Sequence, residues 1–295
     1  MLIENLAIGC SVYEVDARRS NDAELETLQD LLFRKRLIVL KNQDLDEEAY
    51  IGFAKRFGLP VPYLQDNYHH PKYPLIFVSS NVADKDGRRM GVPRTGGYWH
   101  SDTSFEAEPK TLTMLLPRVL PKTLKRSTRF IDMHEVHEAL PSALRRKLEG
   151  RSFLHSGRFR YKVRAEDAGL DISEILEMID HYAPPVEHPA IIVHPHTQEK
   201  IVYGSRGFVI GVKDSDPTES RAILDELFDL AESPRFVREV TWHMGDLIIW
   251  DNRFLQHSSG RKRAPSENIH QEVTKEEETM MFRITLRDHY PLCAE

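Results

Sequence analysis

The sequence predicts a mainly β protein with flanking helices, an α+β fold, because short strand patterns outnumber helical ones. The strand patterns are apolar runs of four to six residues, at 37–40, 76–80, 111–116, 129–133, 190–194, 200–203, 208–212, 247–250 and 281–286. Strands and helices do not alternate as regular βαβ units, which argues against a parallel sheet. This pattern favours a β-sandwich or open barrel with the helices packed outside.

Helical periodicity predicts four helices. The first, residues 22–36, places four leucines on one face, namely Leu25, Leu28, Leu31 and Leu32. The second begins after Asp44, where Asp44 and Glu47 have the spacing of a capping box, and it ends at Phe57 because Gly58 and Pro60 follow. The other two helices are predicted at 141–148 and 219–231.

The length of 295 residues suits one large domain or two modest ones. No internal repeat and no stretch typical of a flexible linker is visible, so we expect a single domain over residues 1–295. The longest segment without a regular pattern, residues 262–278, is polar and charged. It predicts an exposed loop, which could also cover a site as a lid.

Composition and charge argue against several classes of protein. The formal net charge is −6 and no Lys/Arg stripe stands out, so a nucleic-acid partner is not expected. No apolar run approaches the roughly 18 residues of a membrane span, and the acidic N-terminus does not resemble a signal peptide. Two cysteines near opposite ends predict no disulfide framework, which indicates a cytoplasmic protein. A homo-oligomer is left open.

The stretch GGYWHSDTSF, residues 96–105, places His100 and Asp102 two residues apart. In an extended chain, side chains at this spacing point the same way, as two ligands of one metal ion would. Taken alone, the pattern is weak, since a surface histidine beside a turn aspartate occurs in many proteins.

A second stretch, GDLIIWDNRFLQH at residues 245–257, strengthens the metal hypothesis. An apolar strand leads into the polar turn Asp251–Asn252–Arg253 and then to His257. Two histidines and one carboxylate, here His100, His257 and Asp102, are the facial triad of non-haem Fe(II) oxygenases, which leaves open positions on the metal. A zinc hydrolase can use the same ligands, so their types alone do not identify the metal.

Arg283 lies within the apolar strand pattern MMFRITLRD, 26 residues after His257. Burying a guanidinium in such a run is costly unless it meets an anion, and a carboxylate is its natural bidentate partner. The alternative is an arginine at the edge of a barrel that points to solvent. We favour an anion site for Arg283.

The H-x-D pair, the WDNR-x-x-x-H segment and the later arginine together resemble the TauD/TfdA family of Fe(II)/2-oxoglutarate-dependent oxygenases, over about residues 8–290. The resemblance implies a double-stranded β-helix, or jelly roll, flanked by helices. It implies that His100, Asp102 and His257 hold Fe(II), and that Arg283 and Thr128 bind 2-oxoglutarate, with O₂ as the second cosubstrate. The sequence departs from the family pattern in the longer gap between His257 and Arg283.

Three further stretches resemble the isonitrile-forming subfamily of lipopeptide pathways: VPYLQDNYHHP, IFVSSN with GVPRTGGYWHSD, and GRFRYKVR. That resemblance implies a substrate with two carboxylates, an N-carboxymethyl-3-amino acid, whose candidate contacts are Tyr63, Tyr68, Arg126 and Lys162. Each has a structural alternative, since the tyrosines could pack and the cations could be solvated. Leu64 and Arg261 stand where the subfamily tends to have tyrosine and histidine.

The resemblance therefore predicts an enzyme that oxidatively decarboxylates this amino acid to an isonitrile while 2-oxoglutarate becomes succinate and CO₂. Two alternatives remain. One is a hydroxylase of the same family that acts on another small anionic metabolite. The other is a jelly-roll protein that binds a small molecule without catalysis.

Overall fold

The computed structural model describes residues 1–83, 85–88, 90–93, 95–122, 125–161, 163, 167–259 and 274–295. The strands in this part of the chain are β1 Leu2–Asn5, β2 Cys10–Tyr13, β3 Leu37–Leu40, β4 Leu59–Pro60, β5 Phe77–Ser80, β6 Leu112–Val119, β7 Ser127–Asp132, β8 Ser152–His155, β9 Val186–Pro189, β10 Ile191–Val193, β11 Lys200–Val202, β12 Val209–Val212, β13 Val237–Thr241, β14 Leu247–Asp251, β15 Leu255–Ser259, β16 Met280–Arg287 and β17 Cys293–Ala294. The helices are α1 Asp22–Lys35, α2 Glu47–Phe57, α3 Met133–Glu138, α4 Ser142–Leu148, α5 Ile172–Tyr182 and α6 Pro217–Ala231.

One large sheet dominates the architecture. Its strands follow the order β1-β2-β3-β14-β6-β16-β4, and β5 also pairs with β16. Within this sheet β2 and β3 pair in parallel, while the other pairs are antiparallel. Three smaller sheets have the orders β13-β7-β15, β12-β8-β9 and β11-β10-β17. The mainly β, α+β class predicted from the strand patterns is confirmed.

The central strands of the large sheet, such as β3 and β14, are buried on both faces, which explains their continuous apolar runs. In β3, Leu37 and Val39 belong to one hydrophobic cluster, whereas Ile38 and Leu40 belong to another. The first cluster includes residues of the smaller sheets and of α3, α4 and α6. The second cluster is filled from α1 and α2. Side chains alternate between faces along a strand, so one apolar tetrapeptide contributes to two cores.

The predicted helices and strands agree with the structure to within a few residues, but one helix cap differs. The sequence predicted that Asp44 caps the second helix. In the structure Asp46 is the N-cap of α2, and its side chain accepts a hydrogen bond from the backbone N–H of Ala49. Asp46 takes this position because it immediately precedes the first helical residue and is the carboxylate that reaches the third N–H of the helix.

Several elements were not predicted from the sequence. They include α3, α5 and the strands β1, β2, β4, β8, β9, β13, β15 and β17. Of the segment 262–278, only residues 274–278 belong to the described residues; they are mostly exposed and contain a short 3-10 turn at Lys275–Glu277. Cys10 and Cys293 are both free thiols. Among the described residues, no helix is both long and apolar enough to cross a membrane.

A buried cluster of charges stabilises the turn between β14 and β15. The Arg253 guanidinium donates to both oxygens of Asp251, at 3.0 Å from Nε and 2.7 Å from Nη2, and it also pairs with Asp288. His194 Nε2 lies 3.0 Å from the second oxygen of Asp251. Burial disfavours the charge on Asp251, but Arg253 and His194 outweigh that effect and lower the pKa of the carboxyl. The turn that leads to His257 is therefore held by ionic contacts.

We expect Arg253→Met to lower the free energy of unfolding by about 3–5 kcal/mol, because two buried carboxylates lose their cation. Urea denaturation followed by circular dichroism measures this change. Arg221→Met is the control, since Arg221 pairs with Asp225 on the exposed surface of α6 and such pairs contribute little. If both substitutions shift the urea midpoint equally, the stabilising role of the buried cluster is wrong.

Candidate metal centre

The backbone brings His100 and His257 side by side. The N–H of His100 donates to the carbonyl oxygen of His257 at 3.1 Å, and the N–H of His257 donates back to that of His100 at 2.7 Å. This is an antiparallel bridge between the stretch before Asp102 and β15. Directly paired residues point to the same face of a sheet. The two imidazole centroids are accordingly 4.2 Å apart.

Asp102 completes a cluster of three buried ligands. Its Oδ1 lies 3.7 Å from His100 Nε2, and its Oδ2 lies 3.9 Å from His257 Nε2. One ligand atom from each of the three residues can be chosen so that all lie within 4.8 Å of one another. Among the described residues, these three form the one such group of His, Cys, Asp or Glu side chains.

The local backbone differs from the extended run expected for H-x-D. His100 is in the extended bridge, but Asp102 begins a turn, and Thr103 adopts φ 56° in the left-handed region. Gly96, with φ 67°, approaches the same site from the other side: a Cβ at this position would lie 3.3 Å from His100 Cε1. Glycine is thus favoured here both by its backbone conformation and by the closeness of the histidine ring.

Electrostatics keep the two histidines neutral and the aspartate charged. Burial lowers the pKa of His100, and it lowers the pKa of His257 well below the ordinary value, although Asp102 opposes both shifts. Burial also disfavours the charge on Asp102, but the Arg283 cation, helped by the Thr113 hydrogen bond, overcomes it, and its pKa falls to about 2. The Nδ1–H of His100 donates to the Tyr98 carbonyl oxygen at 2.8 Å, so the lone pair lies on Nε2, facing Asp102.

Arg283 lies on β16 and reaches the cluster directly. Its Nη1 donates to Asp102 Oδ1 at 2.7 Å, and its guanidinium carbon lies 3.9 Å from the centroid of the Phe77 ring. Its buried Nε has no hydrogen-bond partner among the described residues. In the structure the anion that Arg283 contacts is Asp102, and the site predicted for a ligand carboxylate at Arg283 stays a prediction.

Tyr63 and Tyr68 pack together with Phe77 beside Arg283. Tyr68 stacks on Phe77 with centroids 4.5 Å apart, and Tyr63 meets Phe77 edge-on at 5.2 Å. The Arg283 guanidinium lies 5.7 Å from the Tyr63 ring centroid. Burial raises the pKa of Tyr63 to about 12, although Arg283 opposes the shift, so its hydroxyl is protonated at neutral pH. Both tyrosines therefore form an aromatic wall next to the arginine.

Of the three remaining candidate residues, the structure describes Thr128 and Arg126. Thr128 is buried on β7 at the position paired with Ser259, two residues from the pair formed by Phe130 and His257. It therefore shares a sheet face with His257. Arg126 is half-buried just before β7, where its carbonyl oxygen accepts from the Trp242 N–H. Lys162 lies outside the described residues.

Sequence reasoning missed a set of polar residues behind Asp102. The Thr113 hydroxyl donates to Asp102 Oδ2 at 2.7 Å and accepts from Asn252 Nδ2 at 2.8 Å. Thr113 was part of a predicted strand, but nothing in its apolar neighbourhood indicated that its hydroxyl contacts the site. Asn252 had a signal, because it lies in the same WDNR stretch that led to His257.

Tyr98 and Arg160 were also missed. The Tyr98 ring lies 4.7 Å from that of His100, and the Arg160 guanidinium carbon lies 4.0 Å above the Tyr98 ring. Arg160 Nε donates to the carbonyl oxygen of Gly207 at 3.2 Å. The signal for Arg160 was the cationic row in GRFRYKVR, in which only Lys162 was chosen as a candidate.

Comparison with known proteins identifies the family. Residues 5–271 match the family model described as taurine catabolism dioxygenase TauD, TfdA family. The alpha-ketoglutarate-dependent 2,4-dichlorophenoxyacetate dioxygenase of Burkholderia sp. (strain RASC) is 28% identical over 248 residues, which are 81% of each chain. Pentalenolactone F synthase of Streptomyces arenae is 29% identical over 241 residues, covering 79% of this chain and 80% of the relative.

A solved structure shows the same fold. The crystal structure of AAD-2 in complex with Mn(II) and N-oxalylglycine superimposes with a TM-score of 0.76 at 22% identity, covering 98% of this chain and 99% of AAD-2. The expected double-stranded β-helix with flanking helices is thereby confirmed. The chain belongs to the TauD, TfdA family of taurine catabolism dioxygenases, and it is a non-haem dioxygenase that depends on Fe(II), 2-oxoglutarate and O₂.

Proposed function

We propose that His100, Asp102 and His257 hold the Fe(II) ion of this dioxygenase. One observation carries the assignment: ligand atoms of these three buried side chains lie within 4.8 Å of one another. Two imidazole nitrogens and one carboxylate oxygen form the facial donor set of non-haem Fe(II) oxygenases, which leaves positions for cosubstrate and O₂. When bound, the iron supplies the oxidation of a substrate C–H bond, which is chemistry that side chains cannot perform.

The three residues are prepared for a cation. Metal ligands must offer lone pairs, so a protonated histidine or aspartic acid would first have to lose a proton. Here burial keeps both histidines neutral, and Arg283 keeps Asp102 ionised. The donor set carries one negative charge and needs no deprotonation at neutral pH.

Arg283 and Thr128 are the proposed contacts of the far carboxylate of 2-oxoglutarate. Arg283 touches Asp102, so an anion held by the guanidinium would lie at the edge of the triad. Phe77 covers one face of the guanidinium, which leaves its edge, with the unpartnered Nε, for a ligand. Thr128 shares the sheet face of His257 and adds a hydroxyl donor.

The proposed substrate is a small molecule with carboxylate groups, namely an N-carboxymethyl-3-amino acid, which the enzyme converts to an isonitrile as a step of secondary metabolism. The three stretches that resemble the isonitrile-forming subfamily support this substrate. The phenols of Tyr63 and Tyr68 beside Arg283, and the Arg160 cation above Tyr98, suit an anionic molecule. Arg126 and Lys162 stay proposed contacts on the resemblance alone.

The departure at residue 64 does not alter this wall. Leu64 is 56% exposed, whereas Tyr68 is buried against Phe77. A leucine in place of a tyrosine at an exposed position therefore leaves the packed rings in place. Arg261, the other departure, lies outside the described residues.

A second candidate is hydroxylation of another small anionic metabolite by the same iron centre. The relative that is 28% identical is named for 2,4-dichlorophenoxyacetate, which is itself a carboxylate. The same triad and arginine would serve both reactions, so only the organic product separates them.

We expect His257→Ala to abolish metal binding and turnover, because two remaining ligands hold Fe(II) poorly. Anaerobic titration with Mn(II), followed by electron paramagnetic resonance, measures binding without turnover. His181→Ala, which changes an exposed histidine of α5, is the control. Wild-type metal affinity in the His257→Ala protein would show that the triad assignment is wrong.

Arg283→Ala should raise the KM for 2-oxoglutarate by about 10- to 100-fold, which is the loss of one charge-assisted contact of about 1.5–3 kcal/mol. Arg287→Ala, at the end of the same strand, is the control, since Arg287 contacts Glu108. The assay measures succinate as a function of 2-oxoglutarate concentration. An unchanged KM in Arg283→Ala would move the carboxylate contact elsewhere.

Isonitrile formation from an N-carboxymethyl group removes four electrons and releases the carboxyl group, whereas one hydroxylation removes two electrons. We therefore expect two succinates per isonitrile, because each 2-oxoglutarate accounts for one two-electron step. Mass spectrometry of succinate and of the organic product, with candidate N-carboxymethyl-3-amino acids, gives this ratio. One succinate per alcohol or aldehyde would favour the hydroxylase instead.

A further inference from the structure

We propose that Thr113 and Asn252 are positioning residues that fix the rotation of the Asp102 carboxylate through a hydrogen bond to Oδ2 and so direct Oδ1 at the metal ion. The inference rests on the proposed function, since it assumes that Asp102 is a metal ligand. It assigns a role to a chain of buried hydrogen bonds that runs from Trp250 through Asn252 and Thr113 to Asp102.

The chain has a fixed direction. The Trp250 indole N–H can only donate, so the oxygen of the Asn252 side chain faces it, at 3.0 Å. The Asn252 amide nitrogen is thereby turned toward the Thr113 hydroxyl, at 2.8 Å. Since that hydroxyl accepts the amide N–H, its single hydrogen is free to point at Asp102 Oδ2, 2.7 Å away. From Trp250 to Asp102, each side chain in this series of hydrogen bonds thus donates to the next or accepts from it in one defined direction.

Asn252 also contacts the backbone around the site. Its amide nitrogen donates to the Lys110 carbonyl oxygen at 3.2 Å, and its side-chain oxygen lies 3.4 Å from the Asp102 backbone nitrogen. Asn252 therefore holds both ends of the turn that begins at Asp102. All four side chains of the chain are buried, with exposures from 0% for Thr113 to 3% for Asp102, so water does not compete for these bonds.

The two oxygens of Asp102 consequently have different surroundings. Oδ2 receives the Thr113 hydrogen, whereas Oδ1 accepts from Arg283 Nη1 at 2.7 Å and lies 3.7 Å from His100 Nε2, so its second lone pair is the one directed at the triad. A carboxylate held in this way presents one oxygen to a cation and cannot rotate freely to present both. Positioning of this kind, in which an outer residue orients a ligand, typically contributes 10- to 100-fold to metal affinity.

The large sheet supports this chain of hydrogen bonds. Trp250 on β14 and Thr113 on β6 are direct register partners at the centre of the large sheet. Asp251, between Trp250 and Asn252, makes the separate contacts with Arg253 and His194. In the tripeptide 250–252, Asp251 therefore holds the buried charge cluster, while Trp250 and Asn252 orient the carboxylate of Asp102.

The test is the affinity for Mn(II), measured by anaerobic titration with electron paramagnetic resonance, on full-length Thr113→Val, Thr113→Ser and Thr285→Val proteins. Thr113→Val removes the hydroxyl at nearly constant volume. Thr113→Ser keeps it. Thr285 is the buried register partner of Thr113 on β16, and its hydroxyl donates to the backbone oxygen of Val61 at 3.5 Å, so Thr285→Val controls for the loss of a buried hydroxyl.

We expect Thr113→Val to raise the Mn(II) Kd by about 10- to 100-fold, while Thr113→Ser and Thr285→Val stay near the wild-type value. A purely structural role would lower thermal stability without this pattern in Kd. If Thr113→Val raises the Kd no more than Thr285→Val, the inference is overturned and the triad assignment stands. A wild-type protein that binds no Mn(II) overturns both.

Should Thr113→Val fail to fold, the Mn(II) Kd of Asn252→Ala tests the inference instead, because this substitution frees the Thr113 hydroxyl to turn away from Asp102. Circular dichroism verifies its fold before the titration. We expect an increase in the Mn(II) Kd of the same order. An unchanged Kd in the folded Asn252→Ala protein overturns the inference.

Discussion

Two reciprocal backbone hydrogen bonds between His100 and His257 are the constraint on which the metal centre depends. They join segments from distant parts of the chain, and because directly paired residues face the same way, they also make the imidazoles neighbours. Asp102 then needs only the turn that follows His100 to bring its carboxylate between them. The geometry of all three ligands thus follows from one antiparallel bridge and the short segment that leads from His100 to Asp102.

Oppositely charged partners offset the free-energy cost of burying charged side chains near this bridge. Asp102 is ionised because Arg283 and the Thr113 hydroxyl contact it, and Asp251 is ionised because Arg253 and His194 do the same for it. The two carboxylates differ in what they offer a ligand. Each oxygen of Asp251 has at least two partners, from Arg253 and His194, whereas each oxygen of Asp102 accepts a single hydrogen bond, from Thr113 or from Arg283, and keeps a lone pair. This difference suits Asp251 to a structural role and Asp102 to a site.

Much of the site could be predicted from the sequence, since the H-x-D pair and the WDNR-x-x-x-H stretch restrict the chemistry to few alternatives. The ligand types left zinc open, and family membership, which periodicity cannot supply, identified iron. Strand β15 was missed because Gln256 and His257 interrupt its apolar alternation; its inner face lines a site, so it lacks the pattern of a core strand. Helix α5 was missed although Asp171 and Glu174 form its capping box, because most of its surface is exposed.

The burial of β14 on both of its faces has a consequence for how this strand aligns with its neighbours. Ile248 and Leu247 lie in different cores, and both faces of β14 are equally apolar. A shift of β14 by one residue would therefore place one apolar face where the other had been, so hydrophobic burial alone would not disfavour the wrong register. The polar end of the strand does disfavour the wrong register, because a shifted strand would separate Asn252 from Thr113 and Asp251 from His194. The polar groups beside the metal centre thus also specify how the strands of the sheet pair.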